Sequence, residues 1–182
     1  VVNHPVHEEE NTSENVCQIM DAIFSLQEYE NEELEILVVL PNSDSNTSKI
    51  ISVYEEIKKN YKNIKFIPSL PRLDYLSLLF CCDLLIGNSS SGILEAATYK
   101  KPVVNIGKRQ NHRLQSKNII NVKKYNMSLI KKAILKGISK KFLEEIEDVK
   151  NVYGTEKATP KILEILNNID LNKLNIIKEI TY

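Results

Sequence analysis

The sequence contains no Trp, only three Cys, and no excess of charge of either sign, with 24 basic and 24 acidic residues. Balanced charge argues against nucleic acid and against a membrane surface as partners, because both normally select a basic face. No apolar run reaches the roughly 18 residues that span a bilayer. On length, the 182 residues predict one domain with a proper hydrophobic core.

The three cysteines are Cys17 and the adjacent pair Cys81 and Cys82. They form neither a C-x-x-C motif nor a Cys/His metal spacing, and they are too few for a disulfide framework. We therefore expect buried free thiols in a reducing cytoplasm. The chain also lacks an Asp-x-Asp motif that could bridge a cation, so we expect no metal and no cofactor.

Short apolar segments alternate with segments of helical periodicity. The first helix, from Asn11 to about Tyr29, has apolar residues at i, i+3, i+4, i+7 and i+8 from Val16. Strands are predicted at 35–40, 63–68, 83–87, 103–107 and 119–122, and further helices at 47–60, 72–82, 90–99, 128–138, 141–148 and 159–167. This repetition predicts an α/β fold with a doubly wound parallel sheet and helices on both faces. Such sheets bind ligands at the carboxyl ends of their strands.

The most distinctive motif is Gly87-Asn88-Ser89-Ser90-Ser91-Gly92-Ile93-Leu94-Glu95, directly after an apolar strand. A strand that opens a helix through small polar residues offers backbone N–H groups, hydroxyls and a positive helix end to a phosphate. Glu95 lies four residues after Ser91, on the same helix face, and a carboxylate there suits a ribose diol. The motif predicts a nucleotide diphosphate site with Ser89, Ser90 and Glu95. A serine-rich helix cap is the alternative, but it leaves the flanking glycines unexplained.

Three more stretches accompany this motif in order: His4-Pro5-Val6, Leu40-Pro41-Asn42-Ser43-Asp44 and Pro102 through Gln110. Together the four resemble the UDP-N-acetylglucosamine 2-epimerase family, specifically its hydrolysing branch. The non-hydrolysing branch usually has Asp-Ser-Gly-Gly at the position of 88–92 and lacks the Gly-x-Arg-Gln run. The resemblance implies the Rossmann-like C-terminal half of a two-domain glycosyltransferase-B fold, with the active site between the domains.

The resemblance also implies roles for residues outside the serine motif. It makes His4 a cleft residue that contacts the diphosphate or sugar or assists proton transfer, and it places Asn42 and Asp44 near the nucleotide. Leu70 is expected to offer its backbone to the uracil edge. Arg109 follows a strand end, where a guanidinium can pair with phosphate oxygens or lie near uracil.

Each of these residues has a structural alternative. His4 could make a local hydrogen bond at a strand end, and one of Ser45, Asn46 or Thr47 is expected to cap the next helix. Around Arg109, the residues Lys108, His112 and Arg113 are expected to form a solvated basic loop.

The resemblance gives the following expectations for the whole chain. Residues 1–169 are expected to form the UDP-binding domain, and 170–182 a tail that crosses back to an N-terminal domain. That domain is expected to be missing from this chain, because the sequence starts without Met and with residues typical of a strand. The parent enzyme would release UDP and a free 2-epimeric acetamido sugar of the N-acetylmannosamine type, for sialic- or legionaminic-acid-type synthesis. Its partners would be the UDP-sugar, the missing domain and a second copy of the full-length enzyme. The fragment alone would be inactive.

Two alternatives remain: a UDP-sugar-dependent glycosyltransferase and a non-catalytic nucleotide-binding module.

Overall fold

The computed structural model describes residues 1–6, 11–30, 34–61, 63–154 and 158–170, excluding the side chains of 27–30. The strands are β1 (Ile36–Val39), β2 (Ile64–Ile67), β3 (Leu85–Gly87), β4 (Val103–Ile106) and β5 (Ile119–Val122). The helices are α1 (Thr12–Glu30), α2 (Thr47–Asn60), α3 (Arg72–Cys81), α4 (Ser90–Leu94), α5 (Met127–Ile138), α6 (Lys140–Glu145) and α7 (Ala158–Asn168). The predicted order of strands and helices is therefore confirmed across the described ranges.

All strand pairs are parallel, and the start of the chain joins them into one sheet. β1 pairs with β2, and β4 lies between β3 and β5. Val2 forms parallel bridges to Val39 on one side and Gly87 on the other. The resulting order is β2, β1, the segment at Val2, β3, β4, β5. The chain thus builds outward in one direction and then reverses, which is the doubly wound arrangement that the sequence predicts.

Alternate strand residues face opposite sides of the sheet, and a helical layer covers each side. One hydrophobic cluster joins α1, α2 and α5 to the face that carries Val38, Ile86 and Val104. A second cluster joins α3 and the segment after α4 to the face that carries Leu85 and Val103. The periodic residues of α1 are all buried: Val16, Ile19, Met20, Ile23 and Phe24. The two cores hold the sheet rigid, so its strand ends have fixed relative positions.

Two predictions need correction. The helix predicted at 90–99 is divided: α4 ends at Leu94, and Ala96–Tyr99 forms a 3₁₀ helix. The i, i+3 bond from Thr98 N–H to Glu95 O at 3.0 Å marks the tighter winding, and Ala96 and Ala97 are buried there. The cysteines are free, as predicted, but Cys81 is exposed and Cys17 and Cys82 are half-buried.

The tail predicted at 170–182 lies outside the described residues, apart from Asp170. α7, the last described helix, has no buried residue. None of the helices within the described ranges combines the length and the apolar character needed to cross a bilayer.

Candidate functional site

The chain reverses direction across the sheet between the segment at Val2 and β3. The two segments are hydrogen-bonded neighbours, with Val2 N–H donating to Ile86 O at 2.9 Å and Asn88 N–H donating to Val2 O at 3.2 Å. At the carboxyl ends of these two segments, the chain continues into His4 after the segment at Val2 and into Ser89 after β3. Parallel sheets open a crevice at such a switch point because the flanking connections leave in opposite directions.

Asn88 ties together the backbone at this crevice. Its side-chain carbonyl accepts from His4 N–H at 2.7 Å, and its side-chain amide donates to His4 O at 2.8 Å. Its own backbone carbonyl accepts from Arg109 Nη1 at 3.2 Å and from Gln110 Nε2 at 2.8 Å. Asn88 is fully buried, and Gln110 is 2% exposed. One residue therefore fixes the ends of three segments relative to one another.

His4 is half-buried within reach of two other predicted site residues. Its Nδ1 accepts from Asn42 N–H at a long 3.5 Å, which favours the neutral tautomer with the proton on Nε2. Burial lowers the pKa of His4, and the positive charge of Arg109 lowers it further. The opposing influences of Asn42 and Asp44 are smaller. His4 is therefore predominantly neutral near pH 7.

The loop after β1 is held by its own hydrogen bonds. Asn42 Nδ2 donates to Asp44 Oδ2 at 2.7 Å, and Thr47 Oγ1 donates to Asn42 O at 2.6 Å. Asn46 occupies the N-cap position of α2 in the left-handed conformation, with φ of 69°, but its side chain makes no capping bond. The position agrees with the sequence prediction, because Asn46 is one of the three residues expected to cap α2. The predicted hydrogen bond from a capping side chain is not formed by Asn46.

A second group of residues lines an open cavity of about 450 Å³. The predicted site residues Leu70, Ser90 and Glu95 all lie in its wall. The remaining lining residues are Arg72, Tyr75, Ser91 and Leu94. The serine motif thus connects two regions, since Asn88 belongs to the crevice at His4 and Ser90 belongs to this cavity.

Both carboxylate oxygens of Glu95 have partners. Ser91 Oγ donates to Oε2 at 2.7 Å, and Arg72 Nη2 lies 3.0 Å from Oε1. The Glu95 side chain is 21% exposed, whereas that of Arg72 is 75% exposed. The predicted i, i+4 relation of Ser91 and Glu95 is therefore a direct hydrogen bond.

The predicted phosphate cradle of backbone N–H groups is smaller than the sequence indicates. Ser89 is the N-cap of α4, and its Oγ accepts from Ser91 N–H at 3.3 Å. Gly92 N–H is bonded to Ser89 O at 3.2 Å. Because α4 has five residues, its dipole is also weak. Hydroxyls and Arg109 therefore offer more to an anion here than the helix end does.

The structure brings His4, Asn42 and Arg109 together, and it separately groups Leu70, Ser90 and Glu95. Sequence reasoning missed the roles of Asn88 and Gln110, although both lie inside quoted motifs. It also missed Arg72 and Tyr75, which reach the cavity from α3. The Tyr75 hydroxyl is buried and has no hydrogen-bond partner of good geometry within the described part of the chain. Burial raises the pKa of Tyr75. A tyrosine and an arginine one turn apart at the start of α3 were the available signal.

No three His, Cys, Asp or Glu side chains cluster closely enough to hold a metal ion within residues 1–6, 11–26, 34–61, 63–154 and 158–170. The polar groups of the site are hydroxyls, amides, an imidazole, two carboxylates (Asp44 and Glu95) and guanidiniums. Such a set binds a ligand through hydrogen bonds and charge pairing.

Comparisons with known proteins agree on one family. The sequence profile described as UDP-N-acetylglucosamine 2-epimerase matches residues 1–167. The chain is 34% identical over 139 residues to the UDP-N,N'-diacetylbacillosamine 2-epimerase (hydrolyzing) of Legionella pneumophila, covering 76% of this chain and 35% of that protein. It is 36% identical over 136 residues to the UDP-N-acetylglucosamine 2-epimerase of Neisseria meningitidis, covering 73% and 34%.

The fold agrees with solved structures as well. A crystal structure of the Neisseria meningitidis UDP-GlcNAc 2-epimerase bound to UDP-GlcNAc superposes with a TM-score of 0.74 at 13% identity, over 92% of this chain and 44% of that one. The chain therefore spans less than half the length of the relatives it matches. On the profile match across residues 1–167, the chain belongs to the UDP-N-acetylglucosamine 2-epimerase family.

Proposed function

We propose that this chain is the nucleotide-binding part of a hydrolysing UDP-N-acetylglucosamine 2-epimerase, which releases UDP and a free 2-epimeric acetamido sugar. The observation that carries the proposal is the convergence of His4 and Arg109 on Asn88, next to the cavity that contains Glu95. A nucleoside diphosphate has a neutral nucleoside end with ribose hydroxyls and an anionic diphosphate end. The two regions differ in a corresponding way, because the cavity contains a carboxylate that can accept from hydroxyls and the crevice contains the cationic Arg109. The name of the Legionella relative includes the hydrolysing reaction.

The nucleoside end is assigned to the cavity. Glu95 accepts hydrogen bonds from the ribose hydroxyls, because a carboxylate can accept from both members of a vicinal diol. Leu70, in the same wall, offers its backbone to the uracil edge. A cavity of about 450 Å³ falls within the usual range for small-molecule sites of about 300–1,000 Å³.

The diphosphate is assigned to the strand ends between the two regions. Arg109 donates one N–H to Asn88 O, and a guanidinium has five N–H donors. No other group among the described residues bonds its remaining donors, which can pair with phosphate oxygens in a forked geometry. The hydroxyls of Ser89 and Ser90 add neutral donors next to it. Asn42 and Asp44 approach the same crevice through the contact of Asn42 with His4.

The proposed reaction begins with elimination of UDP across C1 and C2 of the sugar, which gives a glycal. Water then adds across the double bond with the opposite configuration at C2. In the first step a base outside this chain takes the C2 proton, the C2–H electron pair forms the C1–C2 double bond, and the C1–O bond breaks. The C1–O electron pair leaves with the diphosphate, whose growing charge Arg109 stabilises. His4, neutral near pH 7, contributes a hydrogen bond from Nε2–H to the leaving group or the sugar.

Titration of the chain with UDP tests the binding half of the proposal. We expect a high-micromolar to millimolar Kd, equivalent to roughly −4 to −6 kcal/mol, because a one-sided site leaves its polar contacts in water. NMR amide shifts should centre on residues 87–95 and 107–110. Shifts confined to other parts of the chain would contradict the assignment.

The catalytic half is tested by UDP release from UDP-N-acetylglucosamine. Glu95 is assigned to the ribose, and Asp44 Oδ2 accepts from Asn42 Nδ2 in the loop after β1, so we expect no turnover by the 182-residue chain alone. In the chain extended to the length of its relatives, free acetamido sugar should appear without any acceptor. A requirement for an acceptor would instead favour a glycosyltransferase, and binding without turnover at that length would favour a non-catalytic module.

A further inference from the structure

Arg72 has no role in the assignments above, yet its guanidinium meets the residue assigned to the ribose. Arg72 begins α3 and Glu95 follows α4, so the pair connects two helices on the same face of the sheet. Both residues line the cavity. At 75% exposure Arg72 is too solvated for the pair to add much to folding, because exposed ion pairs contribute little. Its position therefore needs another explanation.

The geometry of the Glu95 carboxylate supplies one. An ionised carboxylate has two oxygens with about four acceptor sites between them. Ser91 Oγ uses one site on Oε2, and Arg72 Nη2 uses one on Oε1. Counting partners among the described residues only, about one site remains on each oxygen, which matches the one hydroxyl per oxygen that a vicinal diol presents.

We propose that Arg72 is a positioning residue for ribose recognition, acting by holding Glu95 Oε1 while Ser91 holds Oε2. This inference rests on the proposed function, which assigns the ribose to Glu95. With both oxygens anchored, the carboxylate plane is fixed before the nucleotide arrives, and less rotational freedom is lost on binding. Without Arg72 the carboxylate keeps the Ser91 bond but turns more freely about its last torsion.

Arg72 and Arg109 are predicted to act on different parts of the ligand. Arg109 bonds Asn88 O at the strand ends, whereas Arg72 bonds Glu95 in the cavity. Loss of Arg109 should weaken every ligand that contains the diphosphate. Loss of Arg72 should matter only for ligands that carry the ribose hydroxyls.

The test is a comparison of UDP with 2',3'-dideoxyuridine 5'-diphosphate, titrated by NMR against the 182-residue chain. We expect Arg72→Ala to weaken UDP binding about two- to fivefold, the range of an exposed ion pair, and to leave dideoxy-UDP binding unchanged. Arg72→Lys should restore part of the loss. Lys65→Ala is the matched control, because it removes one cation from the exposed Lys65–Glu35 pair at the amino ends of β1 and β2. The Lys65→Ala variant should bind both UDP and dideoxy-UDP with unchanged affinity.

Equal weakening of both ligands by Arg72→Ala would overturn the inference, since it would mean direct contact with the phosphates or a general charge effect. Tighter binding of UDP would also overturn it and would make Arg72 a competitor for Glu95. The Glu95→Gln variant distinguishes failure of this inference from failure of the proposed function, which assigns the ribose to Glu95. One possible result is that Glu95→Gln abolishes the preference for UDP over dideoxy-UDP, whereas Arg72→Ala does not reduce that preference. The assignment of the ribose to Glu95 would then stand, and only the positioning role of Arg72 would fail. If the unmodified chain shows no preference for UDP over dideoxy-UDP, the ribose assignment itself fails.

Discussion

The side chain of Asn88 bonds both backbone groups of His4, accepting from its N–H at 2.7 Å and donating to its C=O at 2.8 Å. The amide thus takes the place of a neighbouring strand residue where the ladder between the first segment and β3 ends. It fixes the backbone from which His4 projects, while its own carbonyl holds Arg109 and Gln110. Asn88 therefore sets the geometry of the crevice without needing to touch a ligand.

Replacing Asn88 with Ala should destabilise the chain by roughly 2–4 kcal/mol, because two hydrogen bonds are lost and two backbone groups of His4 lose their partner. Asn88→Asp should also be destabilising, since a carboxylate can accept from His4 N–H but cannot donate to His4 O. The free energy of unfolding in urea measures both effects.

Asn60→Ala is the matched control for Asn88. Asn60 is exposed, and its side chain makes one long bond of 3.3 Å to Glu56 O. We expect a change within about 0.5 kcal/mol there, as for surface substitutions in general. A similar loss at both positions would mean that the Asn88 bonds add no specific stability.

The role of Asn88 shows where sequence reasoning stopped. The strand before it and the start of the helix after it were predicted correctly, because apolar strands and helical periodicity are local patterns, whereas the change to a 3₁₀ helix after Leu94 was not predicted. Which groups the buried amide would meet depends on the neighbouring strand, 84 residues away along the chain. The Arg72–Glu95 pair likewise depends on how α3 lies relative to α4, which no spacing in either segment encodes. By contrast, the Ser91–Glu95 bond lies within one helical turn and was predictable.

The pKa of His4 in the folded chain should lie below its ordinary value of 6.5. Burial is the larger cause and the charge of Arg109 the second, so Arg109→Gln should raise the pKa. Asp44→Asn should lower it, because the carboxylate favours the imidazolium. NMR titration of the imidazole C–H signals measures all three. An Arg109→Gln variant with an unchanged or lower pKa would show that the guanidinium does not act on His4.

The same depression makes stability depend on pH. With the folded pKa below 6.5, the unfolded chain binds more protons between the two values, so stability falls as pH drops from 6.5 through the folded pKa. His4→Gln should remove this loss of stability below pH 6.5. Urea unfolding at several pH values tests this, and identical profiles for the two proteins would contradict it.

Gly87→Ala should be among the most damaging single changes. Gly87 has φ of +134°, and a Cβ there would lie 2.1 Å from Val2 O, in the backbone of the central segment. Because the backbone cannot yield as a side-chain end can, we expect a loss of about 4 kcal/mol or more, or failure to fold. Gly107→Ala is the comparison, since its φ of +79° is also positive but its Cβ meets the end of the Tyr125 side chain. Thermal unfolding should rank Gly107→Ala clearly milder, and the reverse order would refute the clash at Val2.

Arg109→Ala should weaken UDP binding by about 1–3 kcal/mol, the usual contribution of a charge-assisted hydrogen bond. Since its proposed partner is the diphosphate, inorganic pyrophosphate should weaken to a similar degree. Glu95→Gln provides the opposite pattern, with a loss for UDP and little change for pyrophosphate. Arg109→Lys keeps the charge but not the planar fork, so it should recover part of the affinity. NMR titration of the three variants with both ligands measures these differences. If Arg109→Ala affects UDP alone, the arginine serves the nucleoside and not the diphosphate, and stabilisation of the departing charge would have to be assigned to another group.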